Sequence, residues 1–312
     1  MLKRLAKKAR KVFGKQDRPP RLDYVGQAAS DLIKNMLVSG NPCMISRFGG
    51  EIMETLLSYL AIKANINPLN KFVKYIRGEI DAPWLDDQVR FSMSNNAGFF
   101  PVNDTSLFLF AEKMLKDIKN INVLGSWSPG ERRLLEFMPE AKLVRFPDLE
   151  PYYHKDPWSE VLQGRKVLVI HPFAESINRQ YINHRLLFKD PRVLPDFDLV
   201  TLTAVQSIVG TKVGFATWFD ALDWMCEKIN GINFEIAIIG AGAYGLPLAA
   251  YIKSIGKKSI HLGGSTQILF GIKGKRWDEH PYIKQLYNEH WIRPSTAETP
   301  ESFQQAETGC YW

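Results

Sequence analysis

An α/β fold, with a mostly parallel sheet and helices on both faces, is predicted by three observations. Short apolar runs alternate with helical periods along the chain. Val167-Leu168-Val169-Ile170 is apolar at successive positions, as in a strand buried on both faces, and "FEIAIIG" ending at Gly240 repeats the pattern. A Gly240-x-Gly242-x-x-Gly245 turn then joins that second run to an amphipathic helix.

The elements follow in order. Residues 1–20 read as a basic amphipathic helix and a linker. "MLKRLAKKARKVFGK" carries Lys3, Arg4, Lys7, Lys8, Arg10, Lys11 and Lys15 and no acid, while Leu2, Leu5, Ala6, Ala9, Val12 and Phe13 fall on one face. Those seven cations account for the whole net charge of +7, so the rest of the chain is balanced and no nucleic-acid surface is expected. A basic amphipathic helix instead suits an anionic membrane surface, met through residues 1–16.

Residues 21–155 read as an N-terminal α/β half. A helix over Tyr24–Ser39 stops at Gly40, Cys43–Phe48 is a strand, and "GGEIMETLLSYLAIKA" is a helix with Ile52, Leu56, Leu57 and Leu60 at its spacing. "LFLFAEKMLKDI" is a helix leading to a strand near Ile121–Trp127, "RRLLEFM" a helix and "AKLVRF" a strand. Residues 156–294 read as a Rossmann-like nucleotide-binding half, with strands at Gly164–Phe173, Asp198–Val205, "FEIAIIG" and "KKSIHLGG" and a helix over "ATWFDALDWMCEKI". Residues 295–312 form an irregular tail whose aromatic end is expected to pack back on the body. Cys43, Cys226 and Cys310 lack ligand spacing and fit a reducing compartment, and no apolar run is long enough to span a membrane.

The glycine turn offers a phosphate site: Gly240, Gly242 and Gly245 let backbone approach the ligand, with Ala243 and Tyr244 opening the helix whose N–H groups face it. A dinucleotide site also needs an acid at the end of the next strand, for the ribose. That strand ends His261-Leu262-Gly263-Gly264, so neither NAD nor FAD is expected. The loop that follows supplies Gly263, Gly264, Ser265 and Thr266, then Lys273, Lys275 and Arg276, a second cradle for a nucleotide diphosphate. His171 and Glu175 stand just past another buried strand, where either can take a proton from an acceptor hydroxyl. Ser126, Ser128 and Gly130 form either an anion-binding turn or a helix cap. Arg47, Gly49-Gly50, Glu51 and Glu54 mark a further functional turn at a strand end. Asp196-Phe197-Asp198 has Asp-x-Asp spacing but precedes its strand, which disfavours a metal there.

Two stretches carry a resemblance. "ISRFGGE" resembles the Arg-aromatic-Gly-Asp-Gly-Glu turn of bacterial GT-D-type glycosyltransferases, with Arg47, Phe48, Gly49 and Glu51 matching. The turn is one residue shorter and its Asp has no counterpart here. "GAGAYGLPLAAYIKSIGKKSIHLGGSTQILFGIKGKRW" with the terminal "GCYW" is similar to bacterial proteins associated with surface-polysaccharide synthesis. Together these imply a GT-D-like fold and transfer from a nucleotide-sugar donor to a surface glycan, commonly lipid-linked, at the cytoplasmic face of the membrane. They also imply Glu51 as a ligand of Mn2+ or Mg2+. On this reading Arg47 and Arg276 balance the leaving diphosphate, and Glu51, His171 or Glu175 is the base. Two other readings stand beside it: a nucleotide-binding assembly protein without catalysis, and an NAD-dependent sugar-nucleotide oxidoreductase.

Overall fold

Successive apolar residues of each strand face opposite sides of one sheet, which is why the strands read as unbroken apolar runs. The computed structural model describes residues 2–15 and 17–312. Among them seven strands form a single parallel sheet in the order β3-β2-β1-β7-β6-β4-β5. They are β1 (Cys43–Ser46), β2 (Val123–Ser126), β3 (Lys142–Arg145), β4 (Lys166–His171), β5 (Asp198–Thr203), β6 (Ile236–Ile239) and β7 (Lys258–His261). In β4, Val167 and Val169 enter the core on one face and Leu168 and Ile170 the core on the other.

Eleven α-helices accompany the strands among the described residues: α1 (Leu2–Phe13), α2 (Gln27–Val38), α3 (Gly50–Lys63), α4 (Pro68–Ile76), α5 (Asp87–Asn95), α6 (Asp104–Asp117), α7 (Ala174–Ile182), α8 (Trp218–Asn230), α9 (Gly245–Ser254), α10 (Ser265–Leu269) and α11 (Ile283–Leu286). Helices α3, α5, α6, α8 and α9 bury apolar residues against one face, and α2, α7 and α10 against the other. Strands from before and after residue 155 meet through the β1–β7 pairing of Cys43, Met44 and Ile45 with Lys258, Ser259 and Ile260.

Two departures from the periodicity have local causes. "RRLLEFM" is not an α-helix but two 3-10 turns, Pro129–Arg133 and Leu135–Phe137. Glu131 turns inward there, accepting from Ser126 Oγ and from the Trp127 N–H at 3.2 Å. Helices α4 and α5 lie in a stretch that periodicity leaves unassigned. Both start at side-chain caps, with Asn67 Oδ1 accepting from Asn70 N at 2.8 Å and Asp86 Oδ1 from Val89 N at 3.1 Å.

Helix α1 lies on the body by its polar side. Ala6 is buried, Lys7 pairs with Asp86, and Arg10 Nη1 donates to the Tyr75 carbonyl at 3.3 Å. Leu2, Leu5, Val12 and Phe13 remain 73%, 55%, 73% and 72% exposed. Met1 and Gln16, the ends of the segment expected to meet a membrane, lie outside the described residues. The C-terminal tail packs back as expected: the Trp312 carbonyl accepts from Lys275 N at 3.1 Å, and its ring stands 5.8 Å from that of Phe173. No described helix is long and apolar enough to cross a membrane.

Candidate functional site

In a parallel sheet the loops that leave the strands gather at one edge, and a crevice opens there where neighbouring strands send the chain in opposite directions. Here β1 leads outward to β2 while β7 and β6 lie on its other side. A cavity of about 530 Å3 occupies that edge. The loops after all seven strands line it, among them Arg47 to Ile52 after β1, Trp127 after β2, Glu150 after β3 and Pro172 after β4, which ends at His171 in the wall. Ser207 follows β5, Gly240 to Tyr244 follow β6, and Gly263 to Ser265 follow β7. Glu307, Tyr311 and Trp312 of the tail complete the wall.

Arg47 stands at the centre of the row. Its Nε donates to the Phe48 carbonyl at 3.0 Å, and its guanidinium lies 4.9 Å from the centre of the Phe146 ring. No carboxylate among the described residues lies within ion-pair distance of it. Burial depresses its pKa, the response of a cation that has lost water without gaining a partner. A half-buried guanidinium without a carboxylate partner among the described residues is a ready site for an anion. Gly263 gives it room: at φ +62 it adopts a conformation few other residues tolerate, and a Cβ there would stand 2.8 Å from Arg47 Nη1.

Two buried histidines flank the β6 turn. His171 Nδ1 accepts from the Phe173 N–H at 2.9 Å, so the neutral ring carries its proton on Nε2. Burial holds its pKa down at about 3. His171 is therefore a donor, not the base its position after β4 suggested. His261 contacts Ser46 Oγ through Nδ1 at 3.1 Å, and burial, with the nearby Arg47 charge second, also lowers it to about 3.

The structure brings twelve of the residues read from sequence to the cavity: Arg47, Gly49, Glu51, His171, Gly240, Gly242, Ala243, Tyr244, Gly263, Gly264, Ser265 and Arg276. Five others have different work. Glu175 is exposed outside the cavity, its N–H donating to Glu298 Oε1 at 2.9 Å, because α7 carries it to the surface. Ser126 spends its hydroxyl on the buried Glu131. Gly245 is a packing residue, since a Cβ there would meet His261 Nε2 at 2.3 Å. Thr266 lies wholly buried beneath the loop, its hydroxyl unpartnered among the described residues. Lys273 points elsewhere, its Nζ 5.3 Å from the centre of the Tyr287 ring. Arg276 lines the cavity already paired with Glu307 and stacked 4.7 Å from Tyr311. Of the disfavoured Asp-x-Asp, Asp196 pairs with His184 and Arg185, and Asp198 opens β5 at the opposite end of the strand from the cavity.

Sequence reading missed Glu150 and Trp127. Glu150 is buried, accepts from Ser265 Oγ and from Tyr152 Oη at 2.6 Å, and is pushed above the usual carboxylate range by desolvation. Glu150 stands beside Asp148 in "PDLEP", and nothing in that stretch signals which of the two acids will reach a cavity. The donor set does not fit the divalent metal that the resemblance implied. Glu150 is engaged by a hydroxyl on each oxygen, Glu307 is taken by Arg276, and Glu51 shares its loop with the Arg47 cation. Among the described residues no group of three His, Cys, Asp or Glu is placed to hold a metal.

No family model matches the chain, and no curated protein or solved structure matches it.

Proposed function

We propose that this protein transfers a sugar from a nucleotide-sugar donor, with its diphosphate held at the cavity by Arg47. The supporting observation is that guanidinium: half-buried, lining the cavity, and without a carboxylate partner among the described residues. A leaving diphosphate gains negative charge as the glycosidic bond breaks, and a preformed cation in a low-dielectric site favours that charge most strongly. The His171 Nε2–H and the exposed Gly242 of the β6 turn add neutral polar surface beside it. Glu51 is the base in this reading. It lines the cavity, and no described side chain pairs with its carboxylate, which leaves that group open to take the acceptor's proton. The acceptor oxygen bonds the anomeric carbon while the bond to the diphosphate oxygen breaks, its electrons passing to the phosphate. No step is drawn through a metal.

In the same proposal α1 rests on an anionic membrane, where lipid-linked glycan acceptors reside. Its exposed Leu2, Leu5, Val12 and Phe13 lie beside Arg4, Lys8 and Lys11, and Leu69 on the adjoining α4 is 75% exposed.

The reaction is tested by incubating purified protein with a panel of nucleotide sugars and a membrane lipid extract that supplies the glycan acceptor, and measuring nucleoside diphosphate release. Turnover of one donor is expected, and E51Q retains donor binding while losing most of that release, on the order of 100-fold for a general base. E51Q turning over at the wild-type rate would remove Glu51 from the chemistry. Failure of every donor to be turned over would remove the enzyme reading.

A further inference from the structure

Among the eight tryptophans only Trp127 is strongly exposed, at 44%, and its ring lines the cavity. An indole left in water forfeits the burial that the other tryptophans obtain, so its position needs a cause. The ring is also fixed. Its Nε1 donates to the Phe48 carbonyl at 3.1 Å, and its backbone N–H donates to the buried Glu131.

The Phe48 carbonyl is the same oxygen that receives Arg47 Nε. One acceptor thus binds the indole and the guanidinium together, and the two donor nitrogens lie within the sum of two hydrogen-bond lengths of each other. A cation without a carboxylate partner among the described residues and an exposed aromatic ring, joined by one acceptor, match a ligand carrying an anionic group next to a flat ring. We propose that Trp127 is the stacking platform for the nucleobase of the ligand whose diphosphate Arg47 holds.

This rests on the nucleotide reading of the cavity and deepens it by assigning a direction. The base lies toward β2 and β3, and the transferred sugar toward β6 and β4. Stacking reads a π-face rather than a hydrogen-bond pattern, so Trp127 gives affinity for nucleotides as a class.

The experiment is equilibrium titration of wild type, W127A and W127F with the four common nucleoside diphosphates and, separately, with inorganic pyrophosphate. Loss of a stacking plane weakens binding about 5- to 150-fold. W127A is expected to weaken by that factor toward the nucleoside diphosphate that binds, and to hold pyrophosphate as wild type does. W127F keeps a plane without the indole N–H and is expected to fall between the two. Thermal unfolding of each variant confirms that it is folded. An unchanged nucleoside diphosphate affinity in W127A overturns the assignment. So does an equal loss toward pyrophosphate, which would place Trp127 behind Arg47 and not under a base. Wild-type protein that binds pyrophosphate but no nucleoside diphosphate overturns it while leaving the Arg47 anion site standing. Wild-type protein that binds neither overturns the nucleotide reading and this assignment together.

Discussion

Replacing Gly245 by Ala should destabilise the protein, against the rule for helices. Gly245 has ordinary helical angles, φ −59 and ψ −46, so an alanine there meets no backbone strain and would normally gain about 1 kcal/mol. The site reverses the sign. The added methyl would stand 2.3 Å from His261 Nε2, 2.5 Å from Cδ2 and 3.0 Å from Cε1. His261 cannot easily retreat, because it is buried and held against Ser46 Oγ at the end of β1. Overpacking of a fixed core costs about 1–3 kcal/mol, which exceeds the propensity gain over most of that range. The net cost is up to about 2 kcal/mol, and the expected result is a fall in Tm of up to roughly 5 °C. Differential scanning calorimetry measures it, with urea unfolding as a check on cooperativity. In an H261A background the clash is gone and G245A should be neutral or stabilising, so the double-mutant cycle isolates the contact. A G245A protein as stable as wild type, or more so, would refute the reasoning.

Two other outcomes follow from the buried histidines and from α1. His171 and His261 titrate at about 3 when folded and near 6.5 when unfolded, so the unfolded chain takes up protons first as pH falls. Stability should therefore decline from about pH 6.5 downward, by up to about 1.4 kcal/mol per unit for each histidine. Glu131 and Glu150, raised by burial, act in the opposite sense above their ordinary value of 4.5 and offset part of that slope. Urea unfolding at pH 7, 6 and 5 reads the net effect, and H171Q should make it shallower; an identical slope would place the acid sensitivity elsewhere. Sedimentation with phosphatidylserine-containing vesicles tests α1. Exchanging Leu5 and Phe13 for Ser should release the protein without lowering its Tm, because both side chains are exposed. Undiminished pelleting of that variant would exclude this face as the membrane contact.

The strands were legible because a parallel sheet buries both faces. Val167 to Ile170 have no polar alternation, and residues of that type have few other uses in a soluble chain. The place of the cavity was legible for a related reason: Gly240 and Gly263 stand where the chain packs so closely that a Cβ would meet His171 Cδ2 at 2.5 Å and Arg47 Nη1 at 2.8 Å. Roles were less legible. Glu175 and Glu150 are the same residue type beside strand ends, yet helix α7 carries the first to the surface while 3-10 turns after β3 bring the second into the cavity. His171 looked like a base because sequence cannot show that the Phe173 N–H occupies its Nδ1. Ser126 and Trp127 are neighbours, and a serine at a strand end carries an anion-binding signal that a tryptophan does not. The buried Glu131 then claimed its hydroxyl and left the indole open. The deciding partners are near in sequence, Phe173 two residues from His171 and Glu131 five from Ser126, but residue type and spacing do not show which groups will bond.

The account turns on Arg47 binding a nucleotide diphosphate. Isothermal titration of the four common nucleoside diphosphates against wild type and R47Q tests that directly. Wild type should bind at least one of them at a single site, and R47Q should bind it about 10- to 150-fold more weakly, the loss of one charged hydrogen-bonding group. Wild-type protein that binds none of them, or R47Q that binds as tightly, would contradict the account.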